Sequence, residues 1–215
     1  MNKKLLICIF LFPWIIGFIV YGIYPIIISF YYSLCHYDVL QLPMFIGFNN
    51  YYDILYKDPY FWKSIKNTFF YTLFRVPTNI LLSLILAVLI NQISKGSFIF
   101  TSAYFIPSLV SGVALSVIWM WIFNPQAGLF NIFLKFFGIS GPMWLQDPSW
   151  SKPALVIMSF WSVGGGRMLI FLAGLRNIPP KLYEAFRLDG GTGFQSFFHI
   201  TLPMISPIIF LWAII

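Results

Sequence analysis

Thr68-Phe-Phe-Tyr-Thr-Leu-Phe-Arg-Val-Pro-Thr-Asn-Ile-Leu-Leu-Ser-Leu-Ile-Leu-Ala-Val-Leu89 carries a single charge, Arg75. An α-helix needs about 20 apolar residues to cross about 30 Å of hydrocarbon, so this stretch reads as a membrane span. Outward from it, the pattern repeats. Residues 5–30 form an earlier run, with Pro13 and Pro25 as expected kinks. Residues 98–123 form a third run containing Pro107 and Gly112. Residues 154–175 form a fourth, carrying Gly164-Gly-Gly166 and Arg167. A fifth begins near Leu202 and is still apolar at Ile215. From Pro203 it is too short to cross, so the expectation is a truncated fifth span in a fragment of a longer protein. The fold class read from this pattern is an all-α membrane protein: a polytopic transmembrane helical bundle with four complete spans plus a truncated fifth.

Composition agrees. The chain is 60% hydrophobic and 9% charged, against about 45–50% and about 25% in soluble domains. A soluble fold could not cover so much apolar surface. The uncharged run continues from Leu5 to Cys35, beyond the length of a signal peptide's apolar core, and reads as a retained span. The net charge of +7 comes from basic residues scattered singly between apolar runs, which flank spans and form no nucleic-acid stripe. Cys8 and Cys35, with His36 and His199 far apart, give no metal-site spacing and no disulfide framework.

Polar connections separate the runs. Residues 31–66 hold Asp38, Asp53, Asp58, Lys57, Lys63 and Lys66 with many tyrosines, and read as an aqueous loop at a membrane interface. Residues 124–153 read as a second such loop. With the N-terminus inside, the inner segments carry Lys3, Lys4, Lys95, Arg176, Lys181 and Arg187. The outer loops carry Lys57, Lys63, Lys66, Lys135 and Lys152. The inner segments are much shorter, so basic density places the N-terminus in the cytoplasm.

The most informative connection is Arg176-Asn-Ile-Pro-Pro-Lys-Leu-Tyr-Glu-Ala-Phe-Arg-Leu-Asp-Gly-Gly-Thr-Gly-Phe-Gln-Ser-Phe-Phe-His-Ile-Thr-Leu-Pro203. Pro180 suits the first turn of a helix. Gly190 and Gly191 permit the positive φ that ends one. Thr192 and Gln195 have capping-box spacing for a second start. Leu182 and Phe186 give the first helix an apolar stripe, with Glu184 and Arg187 on its wetter side. Such a helix lies in the headgroup region, forms a loop without a partner, or docks a soluble partner; the residues alone leave these open.

Glu184-Ala185-Phe186, three residues, Gly190, nine residues, Ile200, one residue, Leu202-Pro203 resembles the EAA loop of ABC importer permeases. That signature reads E-A-A, three residues, G, nine residues, I, any residue, L-P. Every spacing matches; Phe186 stands where the second alanine is expected. Gly47-Phe-Asn-Asn-Tyr51, Asn67-Thr68, Ile178-Pro179 and Asp189-Gly190 look like the carbohydrate-type branch, the maltose, lactose and glycerol-phosphate permeases. The resemblance implies a cytoplasmic coupling helix, and two segments: residues 1–66 as the first transmembrane helix and outer loop, and residues 67–215 as an ABC permease transmembrane domain incomplete at its C-terminus. It implies a transport subunit rather than an enzyme, in the bacterial cytoplasmic membrane. It also implies four kinds of neighbour: an ABC ATPase subunit dimer, a second permease subunit, an extracytoplasmic solute-binding protein and membrane lipid, with no nucleic acid. The chain has no GxxxxGK[ST] loop, so no cofactor is expected on it and ATP is expected on the partner subunit.

The resemblance assigns ATPase coupling to Glu184, Ala185, Phe186, Asp189, Gly190, Ile200, Leu202 and Pro203. Arg75 and Arg167, the charges deep in the spans, are candidates for the solute path, or else for pairing with the second permease. Asn79, Trp119 and Trp161 are further candidates, with Trp121 beside them; interface anchoring is the competing role of the tryptophans. Two rival classes are an ion-coupled secondary transporter and a membrane enzyme. The first normally keeps carboxylates within its spans, yet all six acids here lie in loops. The second needs clustered His, Asp or Glu, which the sequence lacks. A non-transporting truncated fragment is the remaining alternative.

Overall fold

A computed structural model describes residues 3–93 and 95–215; the side chains of residues 3–9, which include Lys3, Lys4 and Cys8, and Ser94 of a short link lie outside the described residues. The chain divides into two compact units, Met1–Lys66 and Asn67–Ile215.

In the first unit, α1 (Lys3–Phe18) leads through a wide π turn, Ile19–Ile23, into α2 (Tyr24–Ser33). The stretch read above as an aqueous loop is folded. Strands β1 (Cys35–His36) and β2 (Met44–Phe45) pair antiparallel, with Cys35 opposite Phe45. A short helix, α3 (Asn49–Tyr52), follows. Asn50 Nδ2 donates to the carbonyls of Ser33 and Cys35 at 2.9 and 2.8 Å, which ties this helix back to the end of α2. The all-α description thus misses one small hairpin, which two-residue strands gave no periodicity to reveal.

The long helix α4 runs Pro59–Asn91. It begins at Pro59 rather than at residue 68, so Lys63 and Lys66 lie on a helix and not in a loop. After it come α5 (Ser97–Phe105), α6 (Gly112–Ile122), α7 (Leu129–Phe136), α8 (Ser151–Ser159), α9 (Gly166–Arg176), α10 (Pro180–Leu188), α11 (Gly193–Ser196) and α12 (Leu202–Ile214). Among the described residues, three continuous helices are long and apolar enough to cross a membrane: Phe10–Ser33, Pro59–Asn91 and Gly193–Ile214. Two bent pairs bring the total to five if each pair is one span. The last helix starts at Gly193 rather than near residue 202, so its 22 residues reach a crossing length.

At two prolines a widened turn keeps the helix continuous. A helix-interior proline lacks an N–H and clashes with the carbonyl four residues back. Before Pro25 the N–H of Tyr24 reaches five residues back to Ile19, and before Pro203 the N–H of Leu202 does the same to Phe197. The widened turn makes room for the ring without ending the helix.

The third and fourth runs bend instead. Ser97–Leu109 and Gly112–Ile122 meet at 94°, not as the straight span read from residues 98–123. Pro107 removes a helix N–H within a 3₁₀ turn at Ile106–Leu109, and Ser111 caps the new helix by accepting from the Ala114 N–H at 3.3 Å. Ser151–Ser162 and Gly166–Arg176 meet at 52°. At that bend Ser83 Oγ on α4 donates to the Val163 carbonyl at 2.9 Å. One turn away, Asn79 Nδ2 donates to Ser159 Oγ at 3.2 Å.

The main core joins α4, α9 and α12. Leu84, Ala87 and Ile90 pack with Met168, Phe171, Leu172, Leu175, Ile178 and Ile205. A second, aromatic cluster holds Trp119, Phe123, Trp144 and Ala154, with Phe130 and Leu134 of α7 against it. Trp144 Nε1 donates to Asn131 Oδ1 at 2.6 Å, so residues 124–153 are also ordered rather than a plain loop.

The first two glycines of the triplet, Gly164 and Gly165, serve close packing. A Cβ on Gly164 would collide with the backbone carbonyl of Tyr104, which cannot swing aside. Gly164→Ala is expected to lower stability by about 1–3 kcal/mol through overpacking. The check is the thermal midpoint of the purified protein in detergent; an unchanged midpoint would contradict this close approach.

Candidate functional site

The Glu184–Pro203 motif folds as a helical hairpin seated on the main core. Pro179 is extended and Pro180 opens α10, where a missing N–H costs nothing. At the other end the backbone forms a Schellman motif: the Gly191 N–H donates to the Phe186 carbonyl at 2.9 Å and the Gly190 N–H to Arg187 at 3.0 Å. Gly190 has φ of 80°, a left-handed conformation that costs other residues about 1–2 kcal/mol. Thr192 and Gln195 then form the expected capping box, with the Thr192 N–H donating to Gln195 Oε1 at 2.9 Å.

Two cross-links close the hairpin. The hydroxyls of Tyr183 and Thr201 are 2.9 Å apart. The rings of Phe186 and His199 stack with centroids 5.9 Å apart. Tyr183, Phe197, Ile200 and Leu202 pack on the core of α4, α9 and α12, while Pro203 is exposed at the start of α12.

The half-buried face of α10 holds Phe186, as the sequence reading had it, with Tyr183 in place of Leu182. Tyr183 and Phe186 face inward, and Leu182 is 42% exposed. On that face the Thr201 hydroxyl gives Tyr183 a polar partner at the edge of the core, while the ring packs against it. Spacing alone pointed to Leu182; the tyrosine eighteen positions before a threonine was the missed signal. Phe186, the departure from E-A-A, is taken up internally because its ring lies over Gly191, where a Cβ would strike it.

What the hairpin presents is a mixed surface. Glu184, Ala185, Arg187 and Asp189 are exposed. So are Leu188 (89%) and Phe194 (76%), with Phe194 in edge contact with Phe198. Among the described residues the ion pair is Lys57–Asp53, and Glu184 makes none.

The solute-path candidates separate into two groups. Arg75 and Asn79 lie one turn apart on α4; Arg75 sits over the Tyr71 ring at 5.2 Å and Asn79 is 1% exposed. Arg167 on α9 sits over the Trp212 ring at 5.2 Å. Trp119 is buried in the aromatic cluster and meets Trp161 edge-on at 6.2 Å. Trp161 lines an apolar groove of about 440 Å³ with Leu82, Ile85, Tyr104 and Pro107. Trp121 is exposed.

Residues 79–215 match the family described as binding-protein-dependent transport system inner membrane component. The probable ABC transporter permease protein YesP of Bacillus subtilis (strain 168) is 39% identical over 203 residues, covering 94% of this chain and 65% of that one. The arabinooligosaccharides transport system permease protein AraP of the same organism is 34% identical over 96% of this chain and 66% of its own. The chain thus spans just under two thirds of the length of these two relatives. A chain in the crystal structure of a bacterial ABC transporter involved in the import of the acidic polysaccharide alginate superimposes with a TM-score of 0.81. It is 26% identical, over 97% of this chain and 71% of that one.

Gly191→Ala is expected to splay α10 from α11 and speed amide exchange over residues 180–188, because its Cβ meets the Phe186 ring. Adding Phe186→Ala is expected to restore part of the protection, because the Cβ also meets the Phe186 backbone carbonyl. Equal exchange in the wild type and the Gly191→Ala variant would contradict the packing.

Proposed function

Because the chain belongs to the family of binding-protein-dependent transport system inner membrane components, we propose that it is one permease half of an ATP-driven importer for a sugar or sugar-like solute. It acts in the cytoplasmic membrane as a multi-pass subunit with its N-terminus inside, and each bent helix pair makes one crossing. ATP is bound and hydrolysed by a partner ATPase dimer, and an extracytoplasmic binding protein delivers the solute to this chain and a second permease. The names of the relatives, transporters of arabinooligosaccharides and of alginate, support the carbohydrate class.

The observation that carries this reading is the α10–α11 hairpin. Its inner side is fixed to the core of three helices through Tyr183, Ile200 and Leu202, so a push on α10 moves those helices as a body. Its outer side offers a carboxylate, a small residue and apolar side chains: Glu184, Ala185, Leu188 and Phe194. An ATPase cleft that buries those apolar groups and pairs Glu184 with a basic or polar group would grip the hairpin. Closing of the ATPase pair on ATP then biases the helices between inward-open and outward-open arrangements. Phe186 serves this grip indirectly, by bracing the turn against Gly191 and His199. Asp189 and Gly190 end the docking helix, and Pro203 begins the helix that carries the motion.

Gly190→Val forces a β-branched residue into a left-handed turn. Solute uptake by the whole importer is expected to fall at least tenfold, with loss of ATPase stimulation by loaded binding protein, while all subunits still copurify. Uptake and stimulated ATPase at wild-type levels in that variant would overturn the coupling role.

A further inference from the structure

A groove of about 410 Å³ runs between the start of α5 and the end of α9. It holds none of the coupling residues and none of the solute-path candidates. Its lining changes character along its length. Leu169, Leu172 and Ala173, at spacings of three and four, place an apolar stripe of α9 in it, and Phe98 of α5 adds a ring. Where α9 ends the lining turns polar, with Arg176 and Asn177 on one side and Ser97 and Thr101 on the other. Leu169 and Arg176 are about 10 Å apart along the helix at 1.5 Å per residue. The polar end thus lies where the spans end, at headgroup level, and the apolar part lies within the hydrocarbon.

That polar end is organised by contacts within the chain. Arg176 Nη2 donates to Ser97 Oγ at 3.3 Å, which ties the end of α9 to the start of α5. Thr101 Oγ1 donates back to the Ser97 carbonyl at 2.7 Å. A serine hydroxyl that accepts from a guanidinium keeps its own proton for another acceptor, and a guanidinium is a fork of several donors suited to an oxyanion. The first turn of α5 follows Gly96 without a side-chain cap, so the positive end of its dipole lies at this same end. Lys95 is exposed two residues before Ser97. Positive charge and hydroxyl donors stand here at the mouth of an apolar slot between two helices.

We propose that this groove binds an anionic phospholipid of the leaflet on the α10–α11 side. The lipid phosphate sits at Arg176 and Ser97, and the first part of an acyl chain lies along Leu169 and Ala173. Both halves of the groove are needed for this match: a free anion would leave the apolar slot unfilled, and a neutral lipid would leave the charged end unanswered. A zwitterionic lipid carries the same phosphate, but its ammonium group adds a like charge beside Arg176 and Lys95, so an anionic headgroup is preferred. Asn177 leads through Pro179 into α10 at Pro180, so the bound lipid stands at the root of the hairpin. The site follows from membrane residence and the groove, and it holds whichever solute is carried.

The test uses the complete importer in phosphatidylcholine bilayers. A trace of phosphatidylglycerol or of phosphatidylcholine carries a diazirine on its acyl chain close to the glycerol, and labelled peptides are mapped by mass spectrometry after irradiation. Phosphatidylglycerol is expected to label residues 97–101 and 169–173 at least fivefold more than phosphatidylcholine does. Arg176→Gln is expected to cut that preference by about fivefold, the worth of one basic residue at an anionic surface. Ala173→Trp, which fills the slot and leaves the charge, is expected to abolish labelling of the groove by both lipids. Equal labelling by the two lipids in the wild type overturns the proposal, as does an undiminished preference in Arg176→Gln. Loss of the preference in millimolar inorganic phosphate overturns it and assigns the polar end to a free anion. Labelling of other spans with none in the groove also overturns it and shows the groove to be covered by protein. The wild-type comparisons decide the matter whatever either variant does to folding.

Discussion

Hydrocarbon offers a backbone N–H or C=O no partner, and each group left unsatisfied there costs several kcal/mol. The breaks and widened turns of the apolar helices are shaped by that constraint. Where proline interrupts the ladder before Pro25 and Pro203, the preceding N–H reaches back five residues and the helix continues. Where the ladder does break, side chains take over: Ser83 reaches the Val163 carbonyl, and Ser111 accepts the Ala114 N–H. Two polar residues of α4 are therefore placed at a bend. Asn79 and Ser83, both buried on α4, face the same break between α8 and α9.

Those bends in turn decide what the core can hold. Gly164 brings the bend before α9 close to the end of α5, and beyond it Met168, Phe171 and Leu175 meet α4 and α12. The α10–α11 hairpin is mounted on that three-helix core through Tyr183, Ile200 and Leu202. A rigid mount with an exposed docking face is what a mechanical coupling needs, because force at a loosely held loop would be lost in local motion. The Schellman turn and the capping box make the hairpin rigid without burial, by satisfying the helix-end groups from within.

Much of this was legible in the sequence. The apolar runs gave helices because twenty apolar residues have few other stable fates. Pro180, Gly190, Thr192 and Gln195 gave the hairpin, since each residue type is tied to one position of a helix end. The missing parts are tertiary. Nothing in residues 98–123 distinguishes a kink from a 94° break, because Pro107 is compatible with both and the caps that decide it form only on folding. Tyr183 takes its place on the inner face of α10 beside Thr201, a contact between distant positions. The hairpin at Cys35 and Phe45 is too short to show an alternating pattern. Trp119 was open to two readings as an aromatic in a span, and its burial among Phe123, Phe130 and Trp161 makes it part of the core.

The proposed coupling requires a soluble ATPase to grip α10. A photo-crosslinking residue placed at Ala185, on the exposed side of α10, tests this in the native membrane with the complete importer. Irradiation is expected to capture the ATPase subunit, with a yield that changes when ATP is bound and hydrolysis is blocked. The same probe at Trp121, exposed on α6, is expected to capture none. Capture of lipid alone from Ala185, with no ATPase adduct in either nucleotide state, would contradict the account.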